Sequence, residues 1–177
     1  MDCCSFQEAV EAITRRAALG GPSACVVTPN AQHVVLLESD AGLREAYANA
    51  DLVVADGASL LLASRLLGEK LRERIAGVDL LEQLCGKAAE LGLRVFLLGG
   101  RPGSAQLAAG KLKRRFPRLT VAGTCCPALG FERDERELQA VAMPSARHGL
   151  TSCSSRWAHP SRNPGCTGMD AGRAPPC

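Results

Sequence analysis

No stretch of this sequence approaches the roughly 18 consecutive apolar residues of a membrane-spanning helix. Its opening, MDCCSFQEAVEAITRR, carries acids where a secretory signal has a basic and then an apolar run. A cytoplasmic chain is expected. Aromatic residues make up only 3% of the chain, and the net charge of +3 is spread among acidic neighbours. There is neither a basic stripe nor a stacking platform, so no nucleic-acid partner is expected. Cysteine is not scarce, at nine residues, yet Cys3, Cys4, Cys25, Cys85, Cys125 and Cys126 form no metal-type pairs and sit in no secreted context. They read as small core or incidental residues.

What is present is alternation. At 177 residues the chain is long enough for a single core, in one domain or two small ones. Ala9, Ile13 and Ala17 recur every four residues, which predicts a helix from Phe6 to Ala18 with a Gly-Gly-Pro stop after it. ACVVTPN reads as a short strand ending in turn residues. QHVVLLESDAGLREAYANA reads as helical with a break near Ser39 to Gly42. DLVVADG is a strand closed by Asp56-Gly57, and ASLLLASRLLG a helix stopped by Gly68. VDLLEQLCGKAAELG is another helix. RVFLLGGRPGSAQLAAGKLKRRF is a strand, a glycine-rich turn and a helix, LTVAG a strand, and ERDERELQAVA the opening of a charged helix. Strands alternating with helices predict an α/β, Rossmann-like open parallel sheet with helices on both faces.

In such a sheet, ligands bind beyond the carboxyl ends of the strands, where helix N-termini point at them. Three loops belong to that edge: Thr28-Pro29-Asn30, Asp56-Gly57 and Gly99-Gly100-Arg101-Pro102-Gly103. Asp56, at the end of a buried strand, is placed for general-base work, and equally for capping the helix that follows it; spacing alone favours the cap. The Gly99 loop suits a phosphate, but it lacks the G-x-G-x-x-G spacing and the later acid of a dinucleotide site, which disfavours an NAD-dependent dehydrogenase. Arg72 and Arg74 in EKLRERIAG suit a diphosphate, although a solvated surface arginine is the commoner case. His33 reads as a packed or half-exposed histidine, and Cys125-Cys126 matches no ligand spacing.

Taken together, TPNAQHVVLLESDAGLREAYANADLVVADGASLLLASRLLGEKLRERIAGVDL and RVFLLGGRPG resemble the TagA/WecG/CpsF family of bacterial glycosyltransferases. The match covers most of residues 1–142, with several motifs in family order. The resemblance implies transfer of N-acetylmannosamine, or a related sugar, from a UDP-sugar donor to a lipid-diphosphate-linked N-acetylglucosamine, in making teichoic acids, common antigen or capsule. It places the general base on Asp56, substrate contacts on Thr28 and Asn30, and a diphosphate ligand on Arg74. The loop of Gly99, Gly100 and Arg101 would add phosphate contacts. Inversion at the anomeric carbon follows, with charge on the leaving diphosphate met by Arg74 and helix N-termini. No cofactor is implied, and no D-x-D motif is present to hold a metal. The family usually has Gly where this chain has Ser59 or a neighbour. Its members tend to associate, which leaves a homo-oligomer open, and the intact proteins work peripherally at the inner face of the membrane.

From Met143 onward the pattern changes. There is no Val, Ile, Phe, Lys or Glu, and half of the 10 prolines lie here, a composition that does not order itself. The family continues instead with a strand ending near V-A-L-G-x-P-K-Q-E-x-W. The genetic code offers a check, by reading each codon from the last base of one residue's codon and the first two of the next. Met143-Pro144 must then give Ala, and Trp157-Ala158 must give Gly. Leu150 to Ala158 permits D-L-L-F-V-A-L-G, and Ala158 to Gly165 permits S-P-K-Q-E-x-W. The reading is two segments: 1–142, an incomplete glycosyltransferase-like domain truncated at its C-terminal side, and 143–177, a disordered, out-of-frame tail. Trp157, His148 and His159 then carry no function. The sheet is expected to lose its next strand and activity to be impaired. The alternatives are a UDP-sugar-binding pseudoenzyme, a non-functional fragment, or a native disordered tail.

Overall fold

The first helix, α1 (Phe6–Leu19), starts at a capping box. Ser5 Oγ accepts from the Glu8 N–H at 3.2 Å while the Glu8 carboxylate accepts from the Ser5 N–H at 2.7 Å, satisfying two otherwise orphaned donors. Its buried stripe is Ala9, Val10 and Thr14. The Thr14 hydroxyl donates back to the Val10 carbonyl at 2.7 Å, so the one polar group on that stripe is satisfied.

The computed structural model describes residues 1–20, 24–69, 71–127, 136 and, as backbone, 150–153. After α1 come β1 (Val26–Val27), α2 (Ala31–Ser39), α3 (Ala41–Ala48), β2 (Leu52–Val53), α4 (Ala58–Leu66), α5 (Gly77–Leu91), β3 (Arg94–Leu98), α6 (Ser104–Arg115), β4 (Thr120–Cys125) and β5 (Leu150–Cys153). The break expected near Ser39 falls at Asp40, whose carboxylate accepts from the Leu43 N–H and caps α3. The charged helix expected over ERDERELQAVA lies outside the described residues apart from Arg136.

All strand pairs are parallel, as the α/β expectation requires, and they fall into two sheets: β1 beside β2, and β4-β3-β5. β1 and β2 are two residues each, too short for a long ladder, while β3 and β4 pair over five registered positions. β5 corrects one expectation. The sheet does not end short of its next strand, because Leu150–Cys153 pairs with β3 from Val95↔Leu150 to Leu98↔Cys153. Ladder bonds use backbone N–H and C=O groups, which any extended segment offers to an open edge. The residues of this segment permit D-L-L in the lagging frame, the stretch in which the resemblance expects a strand. Residues 143–149 and 154–177, with His148, Trp157 and His159, lie outside the described residues.

Two apolar cores form. One gathers Ala9, Val10, Val54, Ile75 and Leu80, with Val26, Leu52 and Leu84 packed against them. The other gathers Cys85, Ala88, Val95, Leu97, Ala105 and Leu119, with Leu81 and Ala89 against them. Helix α5 contributes to both, and it ends at Gly92.

Candidate active site

The ends of β1 and β2 are bound to each other beyond the ladder itself. The Val54 N–H donates to the Val27 carbonyl at 3.0 Å and the Asp56 N–H to the Pro29 carbonyl at 2.8 Å. The Thr28-Pro29-Asn30 loop and the Asp56-Gly57 loop therefore lie side by side. On the other side of β2, the Ile75 N–H donates to the Ala55 carbonyl at 2.8 Å, and the Ile75 side chain is buried. That bond brings the head of α5, two residues later, to the same place.

Asp56 is half-buried, and its Oδ2 accepts from the Gly77 N–H at 3.2 Å. Among the described residues its Oδ1 has no partner. The expectation that Asp56 caps the helix after it is corrected. Gly57, at φ +153° where side chains are strained, occupies the cap position of α4 and leaves that helix with no side-chain cap. The carboxylate instead reaches a helix 21 residues on, α5, whose own cap residue, Ala76, has no side-chain oxygen to offer. Gly77 also meets Thr28: a Cβ there would lie 3.0 Å from Thr28 Oγ1. Thr28 and Asp56 thus converge on one backbone unit at the head of α5.

The remaining expected residues divide. Arg74 is exposed and makes a loose pair with Asp79 at 3.8 Å, so its guanidinium reaches the first turn of the helix that Gly77 opens. Arg72 does not share that role, because it binds the Glu8 carboxylate of α1 at 3.1 Å. Asn30 caps α2 through Oδ1, which accepts from the His33 N–H at 3.2 Å; its amide group is left at the loop. Gly99, Gly100 and Arg101 follow β3, in the other sheet. The Gly99 N–H is spent on the Cys125 carbonyl at 2.7 Å, the Gly99 carbonyl accepts from the Cys126 thiol at 3.3 Å, and the Arg101 carbonyl accepts from Ser104. The Asp56–Gly77 bond and the close approach of Thr28 to Gly77 do not involve this loop. Helix α6 begins at Gly103 without a side-chain cap, so any phosphate contact there falls to N–H groups beyond Gly99.

The family model for glycosyl transferases of the WecG/TagA/CpsF type matches residues 1–150. The chain belongs to this family. Two curated relatives carry the name N-acetylglucosaminyldiphosphoundecaprenol N-acetyl-beta-D-mannosaminyltransferase. One, from Bacillus spizizenii (strain W23), is 34% identical over 90 residues, 51% of this chain and 34% of the relative. The other, from Bacillus subtilis (strain 168), is 26% identical over 100 residues, 56% of this chain and 39% of the relative. The matched stretch thus spans little more than a third of the length of these relatives.

In this member of the WecG/TagA/CpsF family, Thr28 and Asp56 meet at a residue that the sequence reading did not single out. Gly77 closes the E-R-I-A-G stretch, and the sequence singled out only the arginine of that stretch. The signal was a glycine opening a helix that has no capping side chain of its own. His33 takes the packed role expected of it: its Nδ1 lies 3.1 Å from the Tyr47 hydroxyl, and the rings meet edge-on. Burial, with Cys25 nearby, pushes the Tyr47 phenol up to about 12.

Proposed function

We propose that the site serves N-acetylmannosaminyl transfer from a UDP-sugar to a polyprenyl-diphosphate-linked N-acetylglucosamine, the reaction the relatives' names describe in part. The observation that carries this reading is the Asp56 carboxylate, held through one oxygen at the joined ends of two parallel strands and open at the other. Asp56 takes the proton of the acceptor hydroxyl as that oxygen attacks the anomeric carbon. The bond from that carbon to the diphosphate breaks, its electron pair leaves with UDP, and the configuration inverts. Thr28 and Asn30, on the loop bonded beside Asp56, serve as substrate contacts. Arg74 meets the diphosphate by exchanging its loose, exposed pairing with Asp79, a change worth about 0–1 kcal/mol at most for surface pairs. The N-termini of α5 and α6 add partial positive charge, and Gly99, Gly100 and Arg101 belong to the donor side. No helix among the described residues is long and apolar enough to cross a membrane, so the lipid-linked acceptor is met peripherally, by one copy or several.

We further propose that 1–142 is the catalytic unit and that 143–177 is out of frame, with transfer weak or absent in consequence. Calorimetric titration of the full chain with UDP, followed by a transfer assay with UDP-N-acetylmannosamine and the lipid-linked acceptor, tests the reading. Transfer that vanishes in Asp56→Asn supports it. Saturable UDP binding without transfer makes the chain a nucleotide-sugar-binding module, and no binding makes it a fragment. Robust turnover by the purified chain overturns the impairment. Resequencing the codons for residues 140–177 decides the frame: a lagging frame that encodes A-L-G-x-P-K-Q-E and runs on supports the shift, and early stops make the tail native.

A further inference from the structure

We infer that Gly77 is a positioning residue for the Asp56 base: its N–H holds Oδ2, leaving Oδ1 as the proton acceptor, and its missing side chain lets Thr28 and Asp56 share the head of α5. The inference rests on the reading of Asp56 as the general base.

A carboxylate has two equivalent oxygens and turns easily about its last bond, so a general base at a strand end needs something to choose between them. Here the choice is made by a backbone donor. The Gly77 N–H is one of the orphan donors at the start of α5, and Asp56 Oδ2 accepts from it at 3.2 Å. The helix is a firm support for that donor. Leu80, Cys85 and Ala88 of α5 are buried at 4%, 1% and 0% exposure, and the Ile75 N–H ties the preceding residues to Ala55, just past β2. With Oδ2 engaged, the basic lone pairs left open are those of Oδ1.

The same residue is constrained from its other side. A Cβ at position 77 would sit 3.0 Å from Thr28 Oγ1 and 3.8 Å from Thr28 Cβ and Cγ2. The crowding is with the hydroxyl alone, since the two carbon contacts are ordinary van der Waals distances. Any other residue at 77 must displace either the Thr28 hydroxyl or the helix head that carries the donor. Gly77 is thus fixed by two groups that the proposed chemistry uses.

Amide spectra of the full, isotope-labelled chain across the carboxylate titration range test the hydrogen bond without requiring turnover. The Gly77 amide proton is expected to move downfield as Asp56 ionises. That transition disappears in Asp56→Asn and persists in Asp79→Asn, which removes the other carboxylate near the head of α5. A flat Gly77 signal, or a transition that survives Asp56→Asn, overturns the inference. Gly77→Ala tests the steric half: its fall in melting temperature should vanish when Thr28→Ala is added, and an equal fall in both backgrounds overturns it. Transfer that survives Asp56→Asn, with the Gly77 transition intact in the unsubstituted chain, counts against the base reading alone. A missing transition with transfer intact counts against Gly77 alone.

Discussion

The half of the molecule built on β1 and β2 and the half built on β3 and β4 are held together by different means. In the first, two-residue strands are supplemented by carboxylates acting as backbone partners. Asp51 accepts from the Cys25 N–H at 2.8 Å, Asp2 from the Val53 N–H at 2.7 Å, Asp56 from the Gly77 N–H at 3.2 Å, and Glu73 from the Phe6 N–H. In the second, a longer ladder runs from Arg94↔Thr120 to Leu98↔Cys125, and Val95, Leu97, Ala105 and Leu119 fill the core. Carboxylates that stand in for a ladder are directional and half-solvated, and the half that uses them is the half that carries the proposed base, Asp56. Aliphatic packing stabilises more per residue and offers nothing to a substrate.

The comparison predicts that substitutions in the first half damage chemistry and those in the second damage stability. The largest effect is expected of Asp56→Asn. The amide can still accept from Gly77 but cannot take a proton, so whatever transfer the full chain shows should fall about 10²–10⁴-fold, with the circular dichroism spectrum unchanged. Next comes Leu97→Ala, which empties a buried position between α5 and α6. Urea denaturation should show a loss of about 2–5 kcal/mol, with little change in UDP affinity. If Leu97→Ala instead abolished UDP binding at unchanged stability, the division between the halves would fail.

Alkaline titration sharpens the same contrast. Burial, with Glu82 nearby, pushes the Cys85 thiol up from 9.0 to about 11, and burial raises the Tyr47 phenol from 10.0 to about 12. Both groups favour their neutral forms in the folded chain, so this stability is full below 9.0 and 10.0 respectively and is lost as pH rises through about 11 and about 12. Denaturation midpoints measured against pH should fall in that window, and Cys85→Ala should remove the earlier part of the fall. The smallest effect is expected of Arg72→Ala. Its pair with Glu8 is exposed on both sides, so the midpoint should move little at low salt and not at all at high salt.

Much of this architecture could be read from the chain because it is local. Ala9, Ile13 and Ala17 mark α1 by their spacing, Asp40 marks the break between α2 and α3, and Gly68 follows α4 at its expected stop. Thr28 and Asp56 were legible as strand-end residues. What escaped is non-local. The residue that takes the Asp56 carboxylate lies 21 positions away, and no periodicity relates them. Arg72 and Arg74 look alike in sequence and part company only because Glu8 of α1 packs beside one of them. The strand at Leu150–Cys153 was hidden for a different reason: the side chains of LTSC carry no apolar strand pattern, and the ladder to β3 is made by backbone groups.

Helix α5 gives the first core Leu80 and Leu84 on one stripe, and the second core Leu81, Cys85, Ala88 and Ala89 on another. Neither half can expose its interior without uncovering that shared rod, so the two should open together rather than as separate cooperative units. Amides in β2 and in β3 should then exchange with solvent through one common opening event, with the same dependence on denaturant. The loops that carry Thr28 and Asp56, anchored by the fully buried Pro29, thereby inherit the persistence of cores built by other segments.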